Sequence, residues 1–197
     1  MNSIDDLDFS KTYTYADYYS WRFEERLELI KGKIFRMSPA PSANHQTIAL
    51  NIAGEIRHFL KNKTCKVYVA PFDVRLVRDE KSDGKVKTVV QPDVCVICDM
   101  AKLSDPRSCL GAPDLVVEIL SPGNNKKEIQ IKYDLYEEFG VKEYWVVYPD
   151  EQSLLRYVLN EGKFTIEGRA LTLGDKITTP ILPGFELALD DVFHNLI

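Results

Sequence analysis

The sequence predicts an α/β fold, or an α+β mixed sheet: a central sheet flanked by helices, with hairpins added at both ends. Three observations predict it. Residues 115–120 are an apolar run of strand length broken only by Glu118, bounded by Pro113 and by Ser121-Pro122-Gly123. Such a run without alternation suits a strand buried on both faces. The stretch that follows places Ile129, Ile131, Tyr133, Leu135, Tyr136 and Phe139 on one helical arc, with Asn124 or Asn125 as its cap and Gly140 as its stop. Glu143-Tyr144-Trp145-Val146-Val147-Tyr148 is then a second β-prone run. Together they make a strand–helix–strand unit, from which parallel sheets with right-handed crossovers are built.

The remaining elements follow in order. Residues 1–12 read as a loose arm and 14–26 as a short helix, rich in tyrosine and then in charge. Leu27-Glu28-Leu29-Ile30, a Lys31-Gly32 turn and Lys33-Ile34-Phe35-Arg36-Met37 read as a β-hairpin, with glycine supplying positive φ. Ser38-Pro39-Ala40-Pro41-Ser42 is a rigid loop, and residues 44–61 repeat apolar positions Ile48, Ile52, Ile56 and Phe59/Leu60 at helical spacing. Residues 65–77 form a strand kinked at Pro71, 79–87 a charged loop, 89–98 a strand entered through Gln91-Pro92-Asp93, and 99–112 a connector. Residues 153–159 and 163–166 pair around Glu161-Gly162, and 171–189 is an irregular strand-and-turn region. With no repeat, low-complexity tract or linker, residues 1–197 are expected to form one domain.

Composition narrows the function. A hydrophobic fraction of 45% with 11% aromatics is that of a globular chain. The formal net charge of −5 argues against a generally basic nucleic-acid coat, though not against a local basic groove. The polar, acidic start is unlike a signal peptide, and no stretch approaches the ~18 apolar residues of a membrane span. A cytoplasmic protein with no membrane partner is expected. Cys65, Cys95, Cys98 and Cys109 lack the spacing of a disulfide framework and read as buried structural thiols, which fits that compartment. Cys95 and Cys98 fall three apart in a strand, on opposite faces, so they cannot share a metal.

Glu118 is the most informative residue. A carboxylate inside a buried strand must be paired, protonated or bound to a metal. Lys132 falls in the middle of the apolar arc of the next helix, away from Gln130, Asp134 and Glu137, and so faces the same core. Asp93 opens the preceding strand, and consecutive strands tend to be neighbours. Two carboxylates converging from adjacent strands repel unless a cation lies between them. Mg²⁺ takes such oxygen ligands together with water and substrate phosphate. A lysine beside them would stabilise charge on phosphorus-bound oxygens.

At these residues the chain resembles the Uma2 family (DUF820), restriction-endonuclease-like proteins of the PD-(D/E)xK nuclease superfamily. The likeness is carried by Glu28-Leu29-Ile30-Lys31-Gly32-Lys33, Met37-Ser38-Pro39, His45, Gln91-Pro92-Asp93-Val94, the segment from Ala112 through Glu118 to Pro122, Lys132 with Tyr136, and Gly140-Val141-Lys142-Glu143-Tyr144-Trp145. It spans about residues 15–193. The resemblance implies a restriction-endonuclease-like fold and an endonuclease dependent on Mg²⁺, with Mn²⁺ able to substitute. It implies Asp93 and Glu118 as metal ligands and Glu28 as a possible third acid. The superfamily's lysine position, two after the glutamate, is Leu120, and the resemblance maps the lysine to Lys132. Two positions depart from the family pattern: Tyr148-Pro149 replaces an Asp-Pro pair, and Glu128 stands where aspartate is common.

Each residue has an ordinary structural alternative. Asp93 after proline can cap a turn, Glu118 and Lys132 can form a structural ion pair, and Glu28 can face solvent on a hairpin edge. Asp114 also follows a proline and competes with Asp93, but its place suits a turn better. His45 suits support of the helix it precedes, and Tyr136 suits packing beside the site. Lys126 and Lys127 are either surface charges or phosphate contacts at a helix N-terminus. The expected function is metal-dependent hydrolysis of phosphodiesters, with DNA as partner and a homodimer as the assembly that cuts two strands. The alternative is a non-catalytic nucleic-acid or protein binding module that keeps the nuclease fold.

Overall fold

The apolar run around Glu118 forms the middle of a six-stranded mixed sheet. In order along the chain, the elements of this computed structural model are α1 (Tyr15–Ser20), β1 (Leu27–Ile30), β2 (Lys33–Arg36), α2 (Ala43–Phe59), β3 (Lys66–Val69), β4 (Asp73–Arg75), β5 (Val89–Val90), β6 (Val94–Ile97), β7 (Ser108–Leu110), β8 (Leu115–Ile119), α3 (Lys126–Phe139), β9 (Glu143–Tyr148), β10 (Ser153–Asn160), β11 (Lys163–Ile166), β12 (Lys176–Thr178), β13 (Glu186–Ala188) and α4 (Leu189–Val192). The structure describes residues 3–22, 25–37, 41–78, 82–121 and 126–197. The expected Asn124 or Asn125 cap, part of the proline-rich loop and part of the 79–87 loop lie outside them.

The six-stranded sheet runs β11-β10-β9-β8-β6-β3, and a second sheet runs β2-β1-β5-β4-β7. β8 and β9 are parallel and joined through α3, as a strand–helix–strand unit requires. Alternation along β8 divides its side chains between two layers. Leu115, Val117 and Ile119 join Val94 and Val96 of β6 against Ile48, Ile52 and Ile56 of α2. Val116 instead joins Cys95 and Ile97 against Leu135 and Tyr136 of α3, in a core completed by Ile30, Val74 and Val90 of the second sheet. Each of the three α2 isoleucines is fully buried, worth roughly 1.5–3 kcal/mol apiece. The mixed α/β architecture with flanking helices is the one expected.

Local signals account for the turns. Lys31 (φ 53°) and Gly32 (φ 81°) make the tight β1–β2 hairpin. A Cβ on Gly32 would lie 3.0 Å from that of Thr12, so glycine is needed there for space as well as for φ. α3 ends at Gly140 (φ 80°), with the Val141 amide donating to the Tyr136 carbonyl at 3.0 Å in a Schellman closure.

Four expectations change. Residues 89–98 are two strands, β5 and β6, that belong to different sheets; 65–77 likewise divides into β3 and β4. The ribbon made by β3–β6 and β4–β5 turns from one sheet to the other around Pro71 and Pro92, because neither proline can donate to a ladder. The helix expected over 14–26 is only α1, capped by Thr14 and Asp17 in a capping box. Residues 3–12 are not loose at every position: Ile4 and Leu7 are buried against Leu27, Leu29 and Val89. Finally, Cys65 and Cys98 form a disulfide, whereas Cys95 and Cys109 are buried free thiols. The antiparallel register that pairs Lys66 with Ile97 brings the next residues of each strand, Cys65 and Cys98, opposite each other. Cysteine usage therefore gives no support to a reducing compartment.

Candidate functional site

The antiparallel register of β6 and β8 pairs Val94 with Val117, which brings Asp93, one residue before β6, beside Glu118. Asp93 sits in the break between β5 and β6, where the chain passes from one sheet to the other. One of its oxygens, Oδ2, accepts the Ile119 amide at 2.8 Å and lies 3.2 Å from His45 Nε2. Glu118 Oε1 accepts from Lys132 Nζ at 3.1 Å and from the Tyr136 hydroxyl. Lys132 also donates to Glu28 Oε1 at 2.6 Å, and that oxygen takes the Gln91 amide at 2.8 Å. Glu28, from the second sheet, is 5% exposed, so it is not a solvent-facing edge residue. Helix α3 thus delivers Lys132 from the middle of its apolar arc to two carboxylates on different sheets.

The electrostatics are unbalanced. Burial pushes the Glu118 carboxyl up to about 7; Lys132 opposes this, but Asp93 and Glu28 add to it. Burial opposes the charge on Lys132, but Glu118 and Glu28 outweigh it and hold its ammonium protonated well above the ordinary range. Tyr136 is pushed well above its usual value by burial and by Glu118, so it stays a donor. Burial also disfavours the His45 imidazolium, yet the hydrogen bond and charge of Asp93, with the Ile119 backbone and Glu118, raise its pKa overall. His45 Nδ1 is buried and makes no hydrogen bond among the described residues. Buried carboxylates elsewhere have their own partners: Asp114 has Lys142 and the Cys98 amide, Glu143 has Trp145 and Thr179. Asp114 therefore ties β6 to β8, as its turn position suggests, and stands outside the cleft.

These groups line a cavity of about 160 Å³, enough for a hydrated ion or a phosphate group. Its wall combines Glu28, Asp93, Glu118, Glu128, Lys132, Arg26 and Arg36 with apolar Ile30, Phe35, Met37 and Ile131. The surround is mixed, and the lining makes no continuous basic groove. Lys126 and Lys127 stand in the first turn of α3 and do not line the cavity. Among the described residues no three His, Cys, Asp or Glu side chains form a metal cage. Sequence reasoning gave no role to Arg26 or Gln91. Gln91 lay within the Gln-Pro-Asp segment, but its side-chain partners are 18 to 73 residues distant and no local pattern announces them.

Comparison with known proteins agrees with this architecture. A crystal structure from Anabaena variabilis ATCC 29413, described as a "putative nuclease belonging to DUF820", superposes with a TM-score of 0.70 at 18% identity, covering 92% of this chain and 97% of that one. At that identity the likeness speaks for the fold. No curated protein matches the chain. The family Uma2, described as "Putative restriction endonuclease", matches residues 15–190, and this chain belongs to the Uma2 family.

Proposed function

We propose that this chain is a Mg²⁺- or Mn²⁺-dependent endonuclease that hydrolyses phosphodiester bonds of DNA in the cleft between Glu28, Asp93, Glu118 and Lys132. The observation that carries the reading is the charge balance in direct contact: Glu28 and Glu118 share the Lys132 ammonium, Asp93 contacts His45, and Arg26 on the same wall pairs with none of the three carboxylates among the described residues. Like charges at such range do not all stay ionised without a further cation. The donors are hard oxygens, and Asp93 Oδ1 and Glu118 Oε2 make no hydrogen bond among the described residues. One or two carboxylates with water and phosphate completing the shell is the arrangement Mg²⁺ prefers, and it needs no protein cage. When bound, such an ion lowers the pKa of a coordinated water and neutralises phosphate charge.

The chain's own residues supply the rest. The Ile119 amide and His45 hold one oxygen of Asp93 and leave the other without a hydrogen bond among the described residues. Lys132 and Tyr136 do the same for Glu118. The Lys132 ammonium, steadied by Glu28, is placed to meet charge that develops on the phosphoryl oxygens. The family's description as a restriction endonuclease supports DNA as the substrate. Cutting both strands takes two such sites, so the active form under this reading is a twofold dimer. Calorimetric titration of Mn²⁺ tests the metal. Wild type should bind, and free Mn²⁺ at 100 times Kd should raise folding stability by about 2.7 kcal/mol. Asp93→Asn should lose both effects. Wild-type protein that neither binds Mn²⁺ nor gains stability contradicts the proposal and leaves a non-catalytic module.

A further inference from the structure

One arginine on the cavity wall is held in place without being neutralised. Arg26 precedes β1, on the same hairpin face as Glu28, because residues two apart in a strand share a side. Its Nε and Nη2 donate to Gln91 Oε1 at 3.1 and 2.8 Å. No carboxylate pairs with it among the described residues. Arg75, Arg107, Arg156 and Arg169, by contrast, all have acidic partners.

Gln91 has no freedom to do otherwise. Its Nε2 donates to the Tyr18 hydroxyl at 3.1 Å and to Asp73 Oδ1 at 2.9 Å. Both amide hydrogens are thereby used, and the carbonyl oxygen is left aimed at Arg26. The Gln91 backbone amide meanwhile donates to Glu28, the carboxylate that steadies Lys132. One residue thus sets the position of Arg26 relative to the Lys132 ammonium. A guanidinium anchored on one edge by a neutral amide keeps its charge and its Nη1 edge for a ligand. That planar edge matches the paired oxygens of a phosphate.

We infer that Arg26, positioned by Gln91, is an anion-binding residue at the rim of the cleft that grips a backbone phosphate of the nucleic acid next to the one to be cleaved. The inference rests on the endonuclease reading for its ligand. Arg36 also lines the cavity but does not share the role: it lies over the Phe9 ring, and no hydrogen bond among the described residues orients it.

The test is binding of a fluorescein-labelled 20-mer, as duplex and as single strand, by the full chain in EDTA across a NaCl series. Arg26→Met should weaken binding roughly tenfold and lower the slope of log Kd against log salt by about one. Arg26→Lys keeps the charge and should restore the slope but not the whole affinity. Gln91→Leu, which frees the guanidinium without removing it, should weaken binding at an unchanged slope. Wild-type affinity and slope in Arg26→Met would overturn the inference, as would a wild type that binds neither oligonucleotide at 20 mM NaCl. The two readings fail separately. Arg26-dependent binding without metal-dependent cleavage would sink hydrolysis alone, whereas cleavage with Arg26-independent binding would sink the phosphate grip alone.

Discussion

Glu118 owes its chemistry to where β8 puts it. It interrupts a run that is otherwise buried and apolar, and it meets Asp93, Glu28 and Lys132 at the edge of water. Its raised carboxyl has a consequence for stability. From 4.5 in an open chain to about 7 in the fold, the folded state binds the Glu118 proton more tightly than the unfolded state does. The stabilisation from that proton is complete below the unfolded value and is lost as pH rises through about 7. Between pH 5 and 8 the loss is on the order of a few kcal/mol, at about 1.4 kcal/mol for each tenfold difference in proton affinity between the two states. Glu118→Gln carries no such proton. Urea unfolding in EDTA should therefore show wild type losing ground to Glu118→Gln over that interval, and parallel profiles would contradict the buried, charge-crowded carboxyl. This residue was legible in the sequence, because a lone acid in a doubly buried strand has few explanations. Lys132 was legible as well, from its place inside an apolar arc. The roles of His45 and Gln91 were not, since their partners, Asp93 and Arg26, come from distant parts of the chain.

Strand boundaries carried less information than strand faces. Residues 89–98 have the β propensity of one strand, yet Gln91-Pro92-Asp93 divides them between two sheets, and that division places Asp93 beside Glu118 and Gln91 beside Glu28. The alternation rule correctly sent Cys95 and Cys98 to opposite faces, but it could not supply the register that pairs Cys98 with Cys65. That bridge spans 33 residues and ties the start of β3 to the end of β6. On a chain-entropy account its removal costs about 3–4 kcal/mol. Cys98 lies at the opposite end of β6 from Asp93, so the cleft should not feel the loss. Cys65→Ser with Cys98→Ser, or reduction of wild type, should lower the urea midpoint while leaving Mn²⁺ affinity within about twofold. An unchanged midpoint would mean the two strands are not bridged.

Over the whole molecule, two sheets meet at a corner and the site is built at the seam. One sheet contributes Glu28, the other Glu118, the turn between them Asp93, and a helix on each side adds His45 and Lys132. The sequence order of helices and strands predicts the mixed class, but nothing local says that a ribbon will leave one sheet for the other. Among the described residues no helix is long and apolar enough to cross a membrane. Under the endonuclease reading, a chain of net charge −5 meets its nucleic acid through local fields at this seam. Lys132 separates a working site from a structural remnant of one, because an ion pair that only stabilises the fold has no effect on a phosphate.

The most direct test is Mn²⁺-dependent nicking of supercoiled plasmid by wild type and by Lys132→Met, with folding checked by circular dichroism on the same samples. Wild type should nick the plasmid and EDTA should abolish the nicking, while folded Lys132→Met should be slower by about 10²-fold or more, the scale expected for one lost electrostatic stabiliser. Nicking by Lys132→Met at the wild-type rate would contradict that role.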